Sequence, residues 1–151
     1  MTEDIFDQVT DINYKGVFFT VQKAPPYLND GASIIITSST VAHKGLAGAS
    51  VYTSSKAAER SLVRVFAAEF IARGIRVNAL SPGSIATPIF EENGFSAEQT
   101  DGMNSFFESV TPMKRQGTVD EMAKGFLFLA FDDSSYMTGG ELLLDGGLAS
   151  P

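Results

Sequence analysis

The sequence contains no cysteine and only one histidine, His43. Without cysteine, the chain has no disulfide, no thiolate chemistry and no cysteine-based zinc site. One histidine excludes a metal site built from several histidines, although a magnesium or calcium site made of carboxylates alone stays open. Basic residues are also scarce, because 11 Lys and Arg stand against 18 Asp and Glu, for a net charge of −7. This balance argues against nucleic acid as the main partner, since phosphate binding requires a basic surface.

Long hydrophobic runs are absent as well. The longest apolar stretches, at 16–21 and 126–131, are far shorter than the ~18 residues that a membrane span needs. The first residues, MTEDIFDQVTDIN, are acidic, which is not typical of a secretory signal or transit peptide. We therefore expect a cytoplasmic protein without a membrane partner. The length of 151 residues, 44% of them hydrophobic, is typical of one folded domain.

The remaining sequence alternates between helix and strand patterns. Helices are predicted at 3–24, 50–73 and 118–131, each with a recognisable capping or stop signal. Short runs rich in β-branched and leucine residues predict three buried strands, at 32–39, 74–83 and 140–147. Residues 84–117 are polar with short apolar patches, and we expect them to be irregular. This order predicts an α/β fold with a parallel sheet and ligands at the carboxyl ends of its strands.

Tyr52 and Lys56 lie one helical turn apart in the segment SVYTSSKAAERS, and Ser39 ends the first predicted strand. Taken alone, a tyrosine and a lysine at this spacing also fit an exposed pair on a helix surface. Together with Ser39 they form a group that can move a proton to or from an alcohol oxygen, because an adjacent ammonium favours the phenolate. That chemistry belongs to carbonyl/alcohol interconversion, for which a cofactor must supply the hydride.

Five segments together resemble the short-chain dehydrogenase/reductase family. They are DINYKGVFF (11–19), SIIITSS (33–39), YTSSK (52–56), RVNALSPGSIATP (76–88) and TGGELLLDGG (138–147). The resemblance implies the C-terminal part of a Rossmann-like doubly wound parallel sheet, with about three strands and flanking helices, over residues 1–151. It also implies an NAD(P)-dependent oxidoreductase that interconverts a carbonyl and a secondary alcohol, with either NAD or NADP as cofactor.

The resemblance further implies roles for single residues. Tyr52 matches the general acid/base, Lys56 the residue that favours its ionisation and binds the nicotinamide ribose, and Ser39 the hydroxyl that orients the substrate. Asn13 matches a helix residue that holds a water of the proton relay. The segment that lines the nicotinamide corresponds to Pro82, Gly83, Ile85 and Thr87, and Tyr52 and Lys56 also belong to the implied cofactor-binding residues. Residues 88–117 correspond to the variable substrate lid.

The N-terminal half of that family, with its glycine-rich phosphate turn, has no counterpart in this sequence, which contains no GxGxxG pattern. We therefore expect a truncated chain whose first strand is left as an apolar edge, or a chain that pairs tightly with another copy. The alternative to the enzyme is a non-catalytic fragment or pseudoenzyme that retains the oligomerisation surface. By resemblance, helices 3–24 and 50–73 pack against a twofold mate, which implies a homodimer or homotetramer.

Two further expectations concern the surroundings of these residues. His43 follows the first strand in a glycine-rich loop and is expected to be a solvated loop residue. The lid contains no Lys or Arg before Lys114, which disfavours a strongly anionic substrate held by the lid itself. Sugars, acyl thioesters, steroids and small ketones all remain candidate substrates.

Overall fold

A computed structural model describes residues 1–149 as a parallel sheet with helices on both faces, which confirms the α/β prediction. The strands are β1 (Ser33–Thr37), β2 (Arg76–Pro82) and β3 (Glu141–Leu144), in the order β1-β2-β3. The helices are α1 (Glu3–Thr10), α2 (Val17–Lys23), α3 (Ser50–Phe70), α4 (Ile89–Glu92), α5 (Ala97–Val110) and α6 (Val119–Ala130). Within the described residues, no helix combines the length and apolar character needed to cross a membrane.

Strand β2 lies at the centre of the sheet and is buried on both faces. Val77 and Ala79 belong to the core that packs against Phe66 of α3, whereas Leu80 faces α6. Helix α6 approaches closely through Gly125, where an added Cβ would lie 2.8 Å from Leu80 Cδ1. Since successive side chains of a strand point to opposite faces, a strand covered on both sides needs a continuous apolar run. The buried polar residues of β2, Arg76, Asn78 and Ser81, depart from that pattern, and each of them is paired by hydrogen bonds.

Strand β1 forms one edge of this sheet. Its register with β2 runs from Ser33 opposite Arg76 to Thr37 opposite Leu80. Among residues 1–149, β1 has no second strand partner, so the apolar edge expected from the sequence is present. Unpaired backbone groups along such an edge are free to pair with another strand.

The predicted helix at 3–24 is helical throughout, but it is not a uniform α-helix. Thr2 caps it by accepting a hydrogen bond from the Ile5 N–H at 3.4 Å. Between α1 and α2, Asp11–Gly16 forms a π-helical segment that contains Asn13. Asn13 and Gly16, which have poor α-helix propensity, thus lie in the wider π-helical turn. Segments of this kind occur frequently at functional sites.

The prediction that 84–117 is irregular was wrong, because this region contains α4 and the 14-residue α5. A capping box opens α5: Ser96 Oγ accepts from the Gln99 N–H at 3.3 Å, and Gln99 Oε1 accepts from the Ser96 N–H at 2.9 Å. Phe90 of α4 stacks on Phe107 of α5, with ring centroids 6.2 Å apart. The S-A-E-Q sequence already carried the capping signal.

The capping box predicted for α6 is confirmed at Thr118 and Glu121. Glu121 also forms a two-point salt bridge with the Arg115 guanidinium, at 2.7 and 2.9 Å. Hydrogen bonds from Arg115 and from the Thr118 backbone N–H lower the pKa of Glu121 to about 2. A negative charge at this end of a helix also interacts favourably with the helix dipole.

Arg76 joins the C-terminal end of α6 to the start of β2. Its buried guanidinium donates to the Leu129 carbonyl at 3.2 Å, the Phe131 carbonyl at 3.2 Å and Ser134 Oγ at 2.7 Å. A cation at this end of a helix satisfies carbonyls that have no partner within the helix. Arg76 therefore fixes the helix that covers one face of the sheet.

We expect Arg76→Met to lower the free energy of unfolding by about 3 kcal/mol, because it leaves several buried carbonyls without a donor. Denaturant unfolding followed by circular dichroism measures this change. Arg64→Met, at an exposed position of α3, is the matched control and should change stability by less than about 0.5 kcal/mol. Equal losses in the two variants would contradict the role assigned to Arg76.

Candidate active site

The residues singled out by the sequence meet at the carboxyl end of β1. Lys56 Nζ donates to the Thr37 carbonyl at 3.1 Å, and Ser38 Oγ donates to the Lys56 carbonyl at 3.0 Å. These two hydrogen bonds fix the second turn of α3 against the end of the strand. Ser39 follows directly, and Tyr52 lies one turn earlier on α3. The structure thus brings Ser39, Tyr52 and Lys56 to one rim of the sheet, as the order of elements predicts.

Tyr52 presents its phenol at this rim. Its side chain is 41% exposed, and Lys56 Nζ lies 5.9 Å from the centroid of its ring. The two side chains are neighbours because residues four apart share a face of an α-helix. An exposed phenol beside a cation is accessible to a ligand, unlike the buried side chains on the opposite face of α3.

Glu59 is part of this site and was not predicted. Both of its carboxylate oxygens accept hydrogen bonds from Lys56 Nζ at 3.0 Å, and the residue is 1% exposed. Burial raises the pKa of Glu59, while Lys56 acts in the opposite direction. With the Thr37 carbonyl, the two oxygens match the three N–H donors of an ammonium. The only sequence signal was the spacing, which puts Glu59 on the buried face of α3 with Leu62 and Phe66.

Ser39 caps the short 3-10 turn Thr40–Ala42 that follows β1. Its Oγ accepts from the Val41 N–H at 3.4 Å, and the residue is half-buried. A hydroxyl that accepts one hydrogen bond still has its own proton to donate. Ser39 can therefore donate to an oxygen atom of a ligand at the rim.

Asn13 contacts helix α3 rather than the rim itself. Its Nδ2 donates to Ser55 Oγ at 3.1 Å, and Ser55 Oγ donates to the Tyr52 carbonyl at 2.8 Å. The π-helical segment is thereby joined to the turn of α3 that carries Tyr52 and Lys56. This contact is compatible with the predicted proton relay, but the water-holding role of Asn13 stays a prediction.

The segment after β2 continues from the strand next to β1, so it lies one strand spacing from Ser39. Pro82 is the last residue of β2, and the Gly83 N–H donates to the Leu144 carbonyl at 3.0 Å. A Cβ at Gly83 would lie 2.7 Å from the Asp145 Cα, so only glycine fits. Ile85 bridges Gly117, and Thr87 is exposed. Backbone hydrogen bonds thus fix the segment to β3 and to Gly117, although contact of these residues with a nicotinamide stays a prediction.

Glu141 is a largely buried carboxylate that contacts the sheet, the loop after Ser39 and helix α3. Glu141 accepts from Ser81 Oγ at 2.6 Å, lies 2.8 Å from His43 Nε2 and also accepts from Arg60 Nε. Burial acts to raise the pKa of Glu141, but the hydrogen bonds from Ser81, His43 and Arg60 together lower it. His43 lies at an exposed position after β1, as expected, but its side chain, 20% exposed, also contacts Glu141, which the sequence did not predict. This contact holds the loop after Ser39 against the sheet.

Comparison with known proteins relates this arrangement to a family. A family model described as enoyl-(acyl carrier protein) reductase matches residues 1–149. The 3-oxoacyl-[acyl-carrier-protein] reductase FabG of Thermotoga maritima is 39% identical over 150 residues, which cover 98% of this chain and 58% of that protein. The chain thus spans about half the length of the curated relatives it matches.

Two solved structures have the same fold. A short-chain dehydrogenase/reductase from Serratia marcescens superimposes with a TM-score of 0.88 at 31% identity, over 99% of this chain and 59% of that one. A blue fluorescent protein from a metagenomic library, in complex with NADPH, gives a TM-score of 0.87 at 32% identity, over 99% of this chain and 58% of that one. The sequence match and the parallel sheet agree, and the chain belongs to the short-chain dehydrogenase/reductase family.

Proposed function

We propose that this chain forms the proton-transfer and substrate-binding part of an NAD(P)-dependent oxidoreductase that interconverts a carbonyl and a secondary alcohol. The observation that carries the proposal is the exposed phenol of Tyr52, which lies beside Lys56 at the rim where Ser39 follows β1. The reductase activity named for the Thermotoga maritima relative supports the reaction class. The NADPH bound to a structural neighbour supports a nicotinamide cofactor.

In the reductive direction, Ser39 donates its hydroxyl proton in a hydrogen bond to the carbonyl oxygen. Tyr52 transfers its phenolic proton to that oxygen as the carbonyl carbon becomes a carbinol, and solvent then restores the proton to the phenolate. In the oxidative direction, the phenolate takes the proton from the alcohol. Lys56 stabilises the negative charge on Tyr52 in either direction. A bound nicotinamide supplies or removes the hydride, which no side chain can do.

The residues present fit the nicotinamide end of such a cofactor. Pro82, Gly83, Ile85 and Thr87 would line the ring, because their segment lies at the carboxyl end of β2, the strand next to β1. Lys56 would hold the ribose hydroxyls, although its three donors already contact the Thr37 carbonyl and Glu59. The ribose must therefore share those donors with Glu59 or displace it. The proposal covers both NAD and NADP, and it assigns residues 88–117, with α4 and α5, to the substrate lid.

The proposal includes association through the outer faces of the first helical segment and α3. Large apolar side chains are exposed there at Ile5, Ile12, Phe19 and Val65, with exposed fractions between 44% and 64%. Such a patch is typical of a protein interface. Sedimentation velocity should show a dimer or tetramer, and Val65→Asp should shift it towards monomer. A monomer at every concentration would overturn this part of the proposal.

The test of the reaction uses the natural protein that carries this sequence, in its full length. The protein is mixed with NADH or NADPH and a panel of ketones, and cofactor oxidation is compared with the amount of alcohol formed. We expect one molecule of alcohol for each cofactor oxidised. Cofactor binding without any alcohol from any ketone would contradict the proposed function.

A further inference from the structure

An apolar pocket of about 200 Å³ opens beside Ser39, between the loop after β1, helix α5 and the segment after β3. Its apolar walls are formed by Val41, Leu46, Phe106, Phe107, Val110 and Leu148. The polar lining is limited to Thr40 and Lys44. Proton transfer to an oxygen atom does not require such a pocket. The size and the apolar lining of the pocket therefore indicate what the rest of the ligand is like.

The apolar pocket is joined directly to the rim. The N–H of Val41, in its wall, donates to Ser39 Oγ, and Thr40 follows Ser39 in the chain. Leu148 belongs to the segment that follows β3, at the same carboxyl edge of the sheet. A ligand whose oxygen atom contacts the Ser39 hydroxyl would therefore extend its next few atoms into this pocket.

The walls contain apolar side chains that are open to solvent. Leu46 is 49% exposed, Phe106 51% and Val110 43%. The two phenylalanine rings of α5 contact each other edge to face, with centroids 5.5 Å apart, and Phe107 also stacks on Phe90. These contacts hold the rings in place before a ligand arrives. Covering exposed apolar surface of this kind with an apolar group is favourable.

The volume limits what the pocket can hold. An apolar cavity of ~150 Å³ accommodates one benzene molecule. A pocket of about 200 Å³ therefore has room for a single ring with one or two additional carbons. A sugar ring would lose hydrogen bonds from its hydroxyl groups against these walls, so a hydrocarbon ring is favoured.

The apolar walls of the pocket favour a neutral occupant. Lys44 is the only charged residue in the lining, and its Nζ donates to the Leu148 carbonyl at 3.3 Å. A carboxylate among the remaining walls would be desolvated without a dedicated partner. The net charge of −7 also repels anions.

We infer that the substrate is a neutral ketone, or the corresponding secondary alcohol, with one six-membered hydrocarbon ring next to the reacting carbon. The ring lies in the apolar pocket, and the oxygen atom contacts Ser39 and Tyr52. This inference rests on the proposed function, because that function defines where the reacting oxygen lies. It narrows the substrate classes left open by the sequence to ring-bearing ketones.

Ligand-observed NMR titrations with the full-length protein test the inference. The probes are 1-phenylethanone, 2-propanone, which lacks the ring, and phenylglyoxylate, which adds a carboxylate. We expect 1-phenylethanone to bind about tenfold or more tightly than either of the others. Val110→Trp fills the pocket and should weaken its binding about tenfold, whereas Val119→Trp, at a position 58% exposed on α6, should not. If Val110→Trp does not fold, Leu46→Asp gives the same test from an exposed loop position.

The outcomes separate this inference from the proposed function. Binding of 1-phenylethanone that neither pocket variant weakens would overturn the inference, and so would equal binding of phenylglyoxylate. If 1-phenylethanone binds in the pocket but is never reduced, the assignment of the ring stands and the proposed reaction fails. If 2-propanone binds and is reduced as efficiently as 1-phenylethanone, the reaction stands and the ring assignment fails.

Discussion

Tyr52→Phe should reduce carbonyl reduction by the full-length protein about a thousandfold, because it removes the proton that the developing alkoxide needs. Cofactor binding should change little, since the substitution deletes a single exposed hydroxyl and leaves Lys56 in place. The measurements are the turnover rate with a ketone substrate and a separate fluorescence titration with NAD(P)H. A loss in kcat without a matching loss in affinity identifies an interaction made during the reaction.

Tyr136→Phe is the matched control, because Tyr136 is fully exposed and lies away from the rim. It should have the turnover rate of the unmodified protein. If Tyr52→Phe retained more than about a tenth of that rate, proton transfer by Tyr52 would account for little of the catalysis. A proportional loss of cofactor affinity would instead indicate that the phenol contributes to binding.

Lys56→Met should remove activity and also lower the free energy of unfolding by about 3 kcal/mol near neutral pH. The reason is that Glu59 is buried and Lys56 is its hydrogen-bond partner, so the substitution leaves a buried carboxylate without compensation. Lys124→Met, at an exposed position of α6, is the control and should have almost no effect on stability. Denaturant unfolding of the three proteins provides the comparison.

The pH dependence of that loss gives a second test. Burial already raises the pKa of Glu59 in the folded protein, and removing Lys56 removes the influence that lowers it. A carboxyl group whose folded pKa exceeds its unfolded value of ~4.3 stabilises the fold less as pH rises through the folded pKa. The difference between Lys56→Met and the unmodified protein should therefore be largest at neutral pH and should shrink towards pH ~4.3.

The double variant Lys56→Met with Glu59→Leu separates stability from function. We expect it to recover most of the lost stability, because replacing a buried ion pair by apolar groups is often neutral. It should recover no activity, since Lys56 is still absent. The same stability loss at all pH values, or no recovery in the double variant, would show that Glu59 does not carry a buried charge that depends on Lys56.

Local patterns in the sequence predicted most of the fold. Strands β1 and β3 appear as short apolar runs, and α6 begins at the Thr118 capping box that the sequence shows. The order of elements was sufficient to bring Ser39, Tyr52 and Lys56 to one rim, because parallel strands share a carboxyl edge. The polar helix α5 was missed, because its apolar residues show little helical periodicity and the capping signal at Ser96 alone did not indicate a helix.

The remaining features depend on contacts between distant or unexpected residues. Glu59 interrupts an otherwise apolar face of α3, and only its ion pair with Lys56 makes burial of the carboxylate acceptable. His43 and Glu141 are separated by 98 residues, so no local pattern links them. The π-helical segment around Asn13 could not be predicted from α-helical periodicity either. The poor helix formers Asn13 and Gly16 indicated only that this part of the helix is irregular.

Replacement of Tyr52 by a fluorinated tyrosine tests the central claim most directly. The substitution retains the phenol, its shape and its contact with Lys56, but it makes the phenol more acidic. If Tyr52 transfers the proton, the pH profile of turnover should move to lower pH, and the same substitution at Tyr136 should leave it unchanged. An unaltered profile with fluorotyrosine at position 52 would contradict the account, because the proton would then come from another group.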